Sequence, residues 1–333
     1  MDEQAFLKDA LSRLGLWQGD GLPSFEALPG GVSSDIWRID LPDGPICIKR
    51  ALAKLRVEMD WRVPVERNAY EVAWMETARA VEPDAAPEIL ASDPQAGFFA
   101  MPYLDPATHS SWKDELRQGR ADPATAAEVG RRIGHIHAAT AGRDEIARHF
   151  PTDEIFHAIR LEPYLEATAA RHPDLRHILF GLSRRTAGEK HALVHGDVSP
   201  KNIMIGPKGP VFLDAECAWY GDPVFDIAFC LNHMLLKSLW NIEARELFHE
   251  CYGAMAPAWL DQVDWEPAAV AEARAASLLP GLFLGRVDGK SPVEYVTQEA
   301  DRDRVRRVAR QLLLHPVDRL EEVLDAWKEE LGH

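Results

Sequence analysis

Between two short apolar runs, Ala192–Val194 and Ile203–Ile205, the chain reads His195-Gly196-Asp197-Val198-Ser199-Pro200-Lys201-Asn202. The flanking runs are strand-like and anchor a polar loop that displays a carboxylate, Asp197, and five positions later a carboxamide, Asn202. About ten residues on, Val211-Phe212-Leu213 leads into Asp214-Ala215-Glu216, a second apolar run that ends in carboxylates. Hard oxygen donors of this kind suit magnesium, and a carboxylate beside a hydroxyl suits removal of its proton. Transfer of the γ-phosphoryl group of ATP uses both. Its loose transition state asks for position and counter-charge rather than covalent help from the protein.

The Asp197 to Asn202 spacing is that of the protein-kinase catalytic loop, where the Asp accepts the acceptor proton and the Asn binds metal. A third motif follows, Gly221-Asp222-Pro223-Val224-Phe225-Asp226. Together the three resemble the aminoglycoside phosphotransferase and choline kinase superfamily, which shares the protein-kinase fold. Its members carry a His-Gly-Asp loop, an Asp-x-Asp or Asp-x-Glu metal motif and a Gly-Asp-Pro-x-x-Asp. A capping aspartate and a solvated acidic turn would supply the same letters singly, but not three motifs in this order.

The resemblance implies ATP and Mg²⁺ as cofactors and assigns roles residue by residue. Asp197 would be catalytic, and Asn202, Asp214 and Glu216 would hold metal. Asp226 would N-cap a helix starting near Ile227 and brace the loop, while His195 would orient it. In the first third, Gly30, Gly31, Ser33 and Ser34 match the phosphate-covering loop, where glycines let backbone amides approach phosphate. Lys49, in Ile46-Cys47-Ile48-Lys49, matches the strand lysine for the α- and β-phosphates. Glu71 matches its helix partner, with Glu66 as the substitute. Met101 and Tyr103, in Met101-Pro102-Tyr103-Leu104, would form the hinge that receives adenine.

Local similarity is strongest to the methylthioribose kinase family, through Asp214–Gly221, Phe225–Ala228 and Asn232, with a similar layout at Gly281–Val287 and Asp288. The loop departs from that family's His-Thr-Gly-Ser continuation, so the acceptor stays open among aminoglycosides, sugars and amino alcohols. Ser199 stands where Ser/Thr protein kinases carry lysine, and no Ala-Pro-Glu segment follows, which disfavours a peptide acceptor. A non-catalytic nucleotide-binding or small-molecule-sensing module should lack one of Lys49, Asp197, Asn202 or Asp214. All four are present.

The elements that must position these residues follow from periodicity. Phe6, Leu7, Leu11, Leu14 and Leu16 predict a leading helix within residues 5–16. Phe25–Leu28, Ile36–Ile39 and Pro45–Lys49, punctuated by Pro-Gly turns, predict three antiparallel strands. A helix over Val65–Val81 and strands near Ile89-Leu90 and Gly97–Leu104 complete an α+β, protein-kinase-like small lobe, residues 1–104. Residues 105–333 read as a larger, mostly helical lobe, entered through a polar stretch at Asp105–Asp122. It includes a helix at Ala124–Thr140, on whose apolar face His137 reads as a hydrogen-bonded core histidine. Arg286, Asp288 and Lys290 lie in a turn-forming segment that could reach the acceptor site, with a plain Asp-Gly surface loop as the preferred reading, and DRDRVRRVAR reads as a solvated helix face.

A formal net charge of -16 argues against a nucleic-acid partner, which needs clustered Lys and Arg. The same balance is compatible with a cationic acceptor, although acidity also serves solubility. Cys47, Cys217, Cys230 and Cys251 show no CxxC spacing and read as buried thiols of a reducing compartment, with no zinc site. The start carries no basic, apolar leader, and no run nears the roughly 18 apolar residues a membrane span needs, so a cytoplasmic enzyme is expected.

Overall fold

The computed structural model describes residues 3–19, 21–29, 33–54, 56 and 63–332. Its small lobe is a five-stranded antiparallel sheet in the order β1-β2-β3-β5-β4: β1 Phe25–Ala27, β2 Ser34–Leu41, β3 Gly44–Ala51, β4 Ala91–Asp93 and β5 Phe98–Pro102. β4 lies just after the predicted Ile89-Leu90 position. Alternation along the strands sorts the side chains onto two faces. Ile46, Ile48, Phe98 and Ala100 pack under α1 (Glu3–Arg13) with Leu7 and Leu11. Cys47, Phe99 and Met101 belong to the other face, against α2 (Arg67–Val81). Lys49 shares that second parity, which puts its ammonium on the α2 side. α2 in turn buries Arg67, Glu71, Trp74, Met75 and Ala78, one helical stripe, toward the sheet.

The large lobe is mainly helical. β6 (Ser110–Ser111) and α3 (Trp112–Arg117) open it, followed by α4 (Pro123–Thr140). Asp122 caps α4 by accepting from the N–H groups of Ala124 and Thr125 at 3.1 and 3.2 Å, and Pro123 occupies the first turn. Then come α5 (Asp144–His149), α6 (Asp153–Phe156), a π-helical stretch at His157–Glu166, α7 (Ala167–Arg171) and α8 (Arg176–Gly188). α9 (Val224–Trp240) is apolar nearly all round and runs through the core. α10 (Arg245–Leu260) packs on α4 so tightly that a Cβ on Gly130 would sit 2.4 Å from the Met255 carbonyl oxygen. α11 (Ala268–Asp288), α12 (Glu299–Leu314) and α13 (Leu320–Leu331) close the lobe.

By length and mean hydropathy α11 would pass for a membrane-crossing helix, but Glu272 and Arg274 interrupt its apolar run, as the sequence reading expects. In the fold it is a core helix that carries Arg274, Arg286 and Asp288 among its buried residues. The predicted surface turn is thus corrected: Arg286 and Asp288 lie in its last turn. Asp288 is held by Arg306 at 2.8 and 2.9 Å and by His172 at 2.8 Å. Arg306 therefore fastens α12 to the core, while Arg304 and Arg307 keep the solvated face expected of the charged run. All four cysteines are free and buried.

Two antiparallel pairings set the polar loops side by side. β7 (Ala192–Val194) pairs with β10 (Trp219–Gly221), and β8 (Ile203–Gly206) with β9 (Gly209–Phe212). The loop 195–202 leaves β7 for β8, and the acidic loop 213–218 leaves β9 for β10. Leu213 N–H donates to the Asn202 carbonyl at 2.8 Å, which fixes one loop against the other.

The segment after β10 is pinned by a buried ion pair in which Arg274 of α11 donates to both oxygens of Asp222 at 2.9 and 3.0 Å. Removing one partner of such a pair leaves an uncompensated charge, at a cost of about 3–5 kcal/mol. Arg274→Met should lower the free energy of unfolding in urea by that amount, and adding Asp222→Asn should recover part of it. A loss below about 1 kcal/mol would show that the pair holds nothing.

Candidate active site

A cleft of about 1060 Å³ opens between the lobes, lined from above by Ser33, Ser34, Lys49, Glu71 and Met101, and from below by Asp197, Asn202, Asp214 and Glu216. Residues more than a hundred and fifty positions apart in sequence meet there. Lys49 Nζ, 3% exposed, donates to Glu71 Oε1 at 2.7 Å and to Asp214 Oδ1 at 2.5 Å, so one ammonium joins sheet, α2 and acidic loop. Burial pushes the lysine down, and Asp214 and Glu71 more than reverse this and keep it protonated. Glu66 is exposed and makes no cap bond, which leaves Glu71 as the partner of Lys49.

Among the described residues Asp214 alone, glycines aside, has a left-handed backbone, at φ 66°. The resulting turn aims its carboxylate back at Lys49. Burial pushes this carboxyl up, and Lys49 and Lys201 hold it well below the usual carboxylate range. Glu216, two residues on, accepts from Arg67 Nε at 2.9 Å.

The loop bearing Asp197 is fixed from beneath. Asp226 accepts the N–H groups of His195 at 2.7 Å and Gly196 at 2.8 Å. It is the third residue of α9, whose N-cap is Pro223, so the predicted N-cap at Asp226 is corrected. The carboxylate serves the loop instead of its own helix. His137 Nε2 lies 3.1 Å from Asp226, and His137 Nδ1 accepts from Trp259 Nε1 at 3.1 Å, so both ring nitrogens are satisfied within the core. Gly196 has φ 79°, and a Cβ there would fall 2.6 Å from the Cys217 carbonyl oxygen, so only glycine fits.

His195 ties the two loops. Its Nδ1 accepts the Asp197 N–H and its Nε2 lies 3.1 Å from the Leu213 carbonyl, which sets a neutral Nε2–H tautomer. Burial pushes its pKa below the ordinary value, in keeping with a neutral ring.

Asn202 Nδ2 donates to the Asp197 carbonyl at 3.1 Å, and Asn202 lines the same cleft as Asp214. Among the described residues no group of three His, Cys, Asp or Glu side chains could by itself hold a metal ion. The donor set Asp214, Glu216 and Asn202 is nonetheless all oxygen and two-thirds anionic, which fits magnesium with its retained waters.

Three of the expected residues stand differently. Gly30 and Gly31 lie outside the described residues. Tyr103 is not among the cleft residues; its N–H donates to the Pro45 carbonyl at 3.0 Å and the Arg38 guanidinium covers its ring at 4.8 Å. Tyr103 thus follows β5, which ends at Pro102, and of the two expected hinge residues Met101 lines the cleft.

A model of the phosphotransferase enzyme family matches residues 24–259. The chain belongs to that family. Methylthioribose kinase of Pectobacterium carotovorum subsp. carotovorum (strain PC1) is 25% identical over 254 residues, 67% of this chain and 62% of that protein. The Erwinia tasmaniensis enzyme of the same name is 27% identical over 221 residues, 58% and 54%. The chain thus spans between half and two thirds of the length of these relatives. Among solved structures, choline kinase from Cryptosporidium parvum Iowa II superposes with TM-score 0.56 at 12% identity, covering 99% of this chain and 100% of that one. Choline kinase LicA from Streptococcus pneumoniae gives 0.52 at 16%, covering 93% and 100%. These likenesses show the kinase-like fold.

Two charged residues of the cleft escaped the sequence reading. Arg160, from the π-helical stretch, reaches Asp197 Oδ2 at 2.9 Å while bonding the Gly196 carbonyl. Lys201 reaches the same oxygen at 3.1 Å. The lysine was visible within the loop, but four positions after the aspartate rather than two. Burial pushes Asp197 up, and Lys201 and Arg160 reverse this and hold it below the ordinary carboxylate value.

Asp226→Asn keeps shape but places an amide N–H against loop donors in a fully buried site. A lost buried acceptor costs about 1–3 kcal/mol. Urea unfolding should show that loss, and exchange protection of the His195 and Gly196 amides should fall. Unchanged protection would mean that Asp226 does not hold the loop.

Proposed function

We propose that this chain is an ATP- and magnesium-dependent kinase that moves the γ-phosphoryl group onto a hydroxyl of a small molecule. One observation carries the reading: Lys49, clamped by Glu71 and Asp214, shares a single cleft with Asp197 and Asn202. A buried cation, two carboxylates and a carboxamide facing one another are the counter-charges and oxygen ligands that phosphoryl transfer requires.

In this reading Lys49 receives the α- and β-phosphates, Ser33 and Ser34 border them, and Met101 flanks the adenine. Magnesium held by Asp214, Asn202 and Glu216 would neutralise charge on the phosphate oxygens. Asp197 orients the acceptor hydroxyl. The acceptor oxygen bonds to the γ-phosphorus as the bond to ADP breaks, and the hydroxyl proton passes to Asp197 Oδ. Since Arg160 and Lys201 keep that carboxylate weakly basic, its part is orientation first and proton acceptance late, as suits a loose transition state. Lys201, whose ammonium also lies within the field of Asp214, is placed to meet charge on the moving phosphoryl group.

The acceptor is a small molecule. A non-catalytic reading has to explain why every charged member of the set is present and mutually engaged. The local likeness to methylthioribose kinases supports a sugar-like alcohol.

A coupled assay of ADP release over sugars, amino alcohols, hydroxy acids and aminoglycosides tests the proposal. Asp197→Ala should lower kcat by about 10²–10⁴; unchanged turnover would sink the mechanism. Asp214→Asn tolerates the left-handed backbone, as Asn does, yet removes a metal-side charge. It should raise the magnesium concentration needed for half-maximal rate while the melting temperature moves little. Equal loss of melting temperature and activity would make Asp214 a packing residue.

A further inference from the structure

Beyond Asp197 the cleft runs into an end walled by α3, α9 and the turn after α11. The charge there opposes that of the molecule. Lys113 and Arg117 come from α3, Arg286 from α11, and Lys237 of α9 lies behind the lining residues Trp240 and Tyr295. The carboxylates at this end are Asp114 and Glu294, and Glu294 is bonded to Lys113 at 2.6 Å.

Arg286 is only 9% exposed. Its Nη1 donates to Tyr164 Oη at 3.1 Å and to Ser291, its Nε is buried without a partner, and among the described residues no carboxylate pairs with it. His233, also lining this end, has Nδ1 3.1 Å from Tyr295 Oη and a buried Nε2 with no partner. Trp240 and Tyr295 stack at 4.8 Å, and Lys237 Nζ stands 4.3 and 4.6 Å from their centroids. The faces that would attract a cationic ligand are taken by the protein's own ammonium. Burial, then Lys113 and Arg286, push Lys237 down to about 7 against the pull of Glu294 and Asp114. A buried guanidinium without a counter-ion is costly in the protein alone, and an anionic ligand relieves that cost.

We propose that the acceptor carries an oxyanion, a carboxylate or a phosphate, beside the hydroxyl that is phosphorylated, and that Arg286 receives it with Arg117 and Lys237 in support. This rests on the kinase reading and narrows its substrate class to hydroxy acids and phosphorylated alcohols. Cationic amino alcohols and aminoglycosides, compatible with the overall acidity of the chain, do not match this end of the cleft.

The test is calorimetric binding to the full chain saturated with magnesium and a non-hydrolysable ATP analogue, so that the nucleotide's phosphate subsite is filled. The probes are matched sets of polyols and sugars, their carboxylates, their phosphate monoesters and their amines. One anionic set should bind at least about tenfold tighter than the neutral and amine sets, and which one it is names the oxyanion. Arg286→Met should weaken that binding about tenfold to a hundredfold, the worth of a charged hydrogen bond. Arg117→Gln, an exposed change on α3, should weaken it several-fold and guards against a folding defect in the first variant. Neutral or amine probes binding as tightly as anions, no binding in any set, or anion binding untouched by both variants would overturn the proposal. ADP release with the same probes judges the kinase reading separately. Turnover of neutral or amine members alone keeps the kinase and removes the anion site; tight anion binding without any ADP release keeps the anion site and removes the kinase.

Discussion

The site depends on one buried carboxylate. Asp226 is fully buried and spends its oxygens on the amides of His195 and Gly196 and on the His137 ring. A charged acceptor in a low-dielectric interior makes strong, short, directional bonds. With those two amides fixed, the turn at Gly196 is fixed, and with it the direction in which Asp197 leaves the loop. His195 then carries the constraint sideways to Leu213, and so to the backbone of Asp214. The position of the acidic motif is thus inherited from α9 through two hydrogen-bonded steps.

The cleft that results is crowded with charge yet nearly self-neutralised. Lys49 meets Glu71 and Asp214, Arg67 meets Glu216, and Arg160 with Lys201 meets Asp197. Burial raises Glu71 to about 7 against the pull of Lys49, and the like charge of Asp214 nearby adds to the rise. The lysine's tighter bond is the one to the loop, so it belongs as much to the large lobe as to the sheet that bears it.

Much of this was legible in sequence, because loops flanked by short apolar strands keep their functional letters adjacent. His195 to Asn202, Asp214 to Glu216 and Ile46 to Lys49 fall where periodicity and spacing put them. Glu71 could be preferred to Glu66 only by resemblance; the stripe of α2 shared with Arg67 and Trp74 explains the choice. What stayed hidden arrives by tertiary packing. Arg160 comes from a π-helical stretch whose extra residue per turn defeats the usual helical count. Arg286 could be placed near the acceptor from its sequence position, but its burial in the last turn of α11 could not, because its Gly- and Asp-rich string reads first as a surface turn. Tyr103 follows directly on β5 with its N–H on the Pro45 carbonyl, and a hinge role for it rests on resemblance alone.

Arg67 remains, at the first turn of α2. Its five N–H donors are all spent: on Glu216 and on the carbonyls of Val63, Pro64, Ser33 and Leu52. Four of these acceptors belong to the small lobe and one to the large. A planar guanidinium has no slack to swivel, so the small lobe and the acidic motif share a fixed pivot there. Together with the Lys49 to Asp214 contact it ties the small lobe to the acidic motif at two points. Sliding would break two charged bonds at once. The sheet that bears Lys49 and the acidic motif are thus fastened to each other at two separate points.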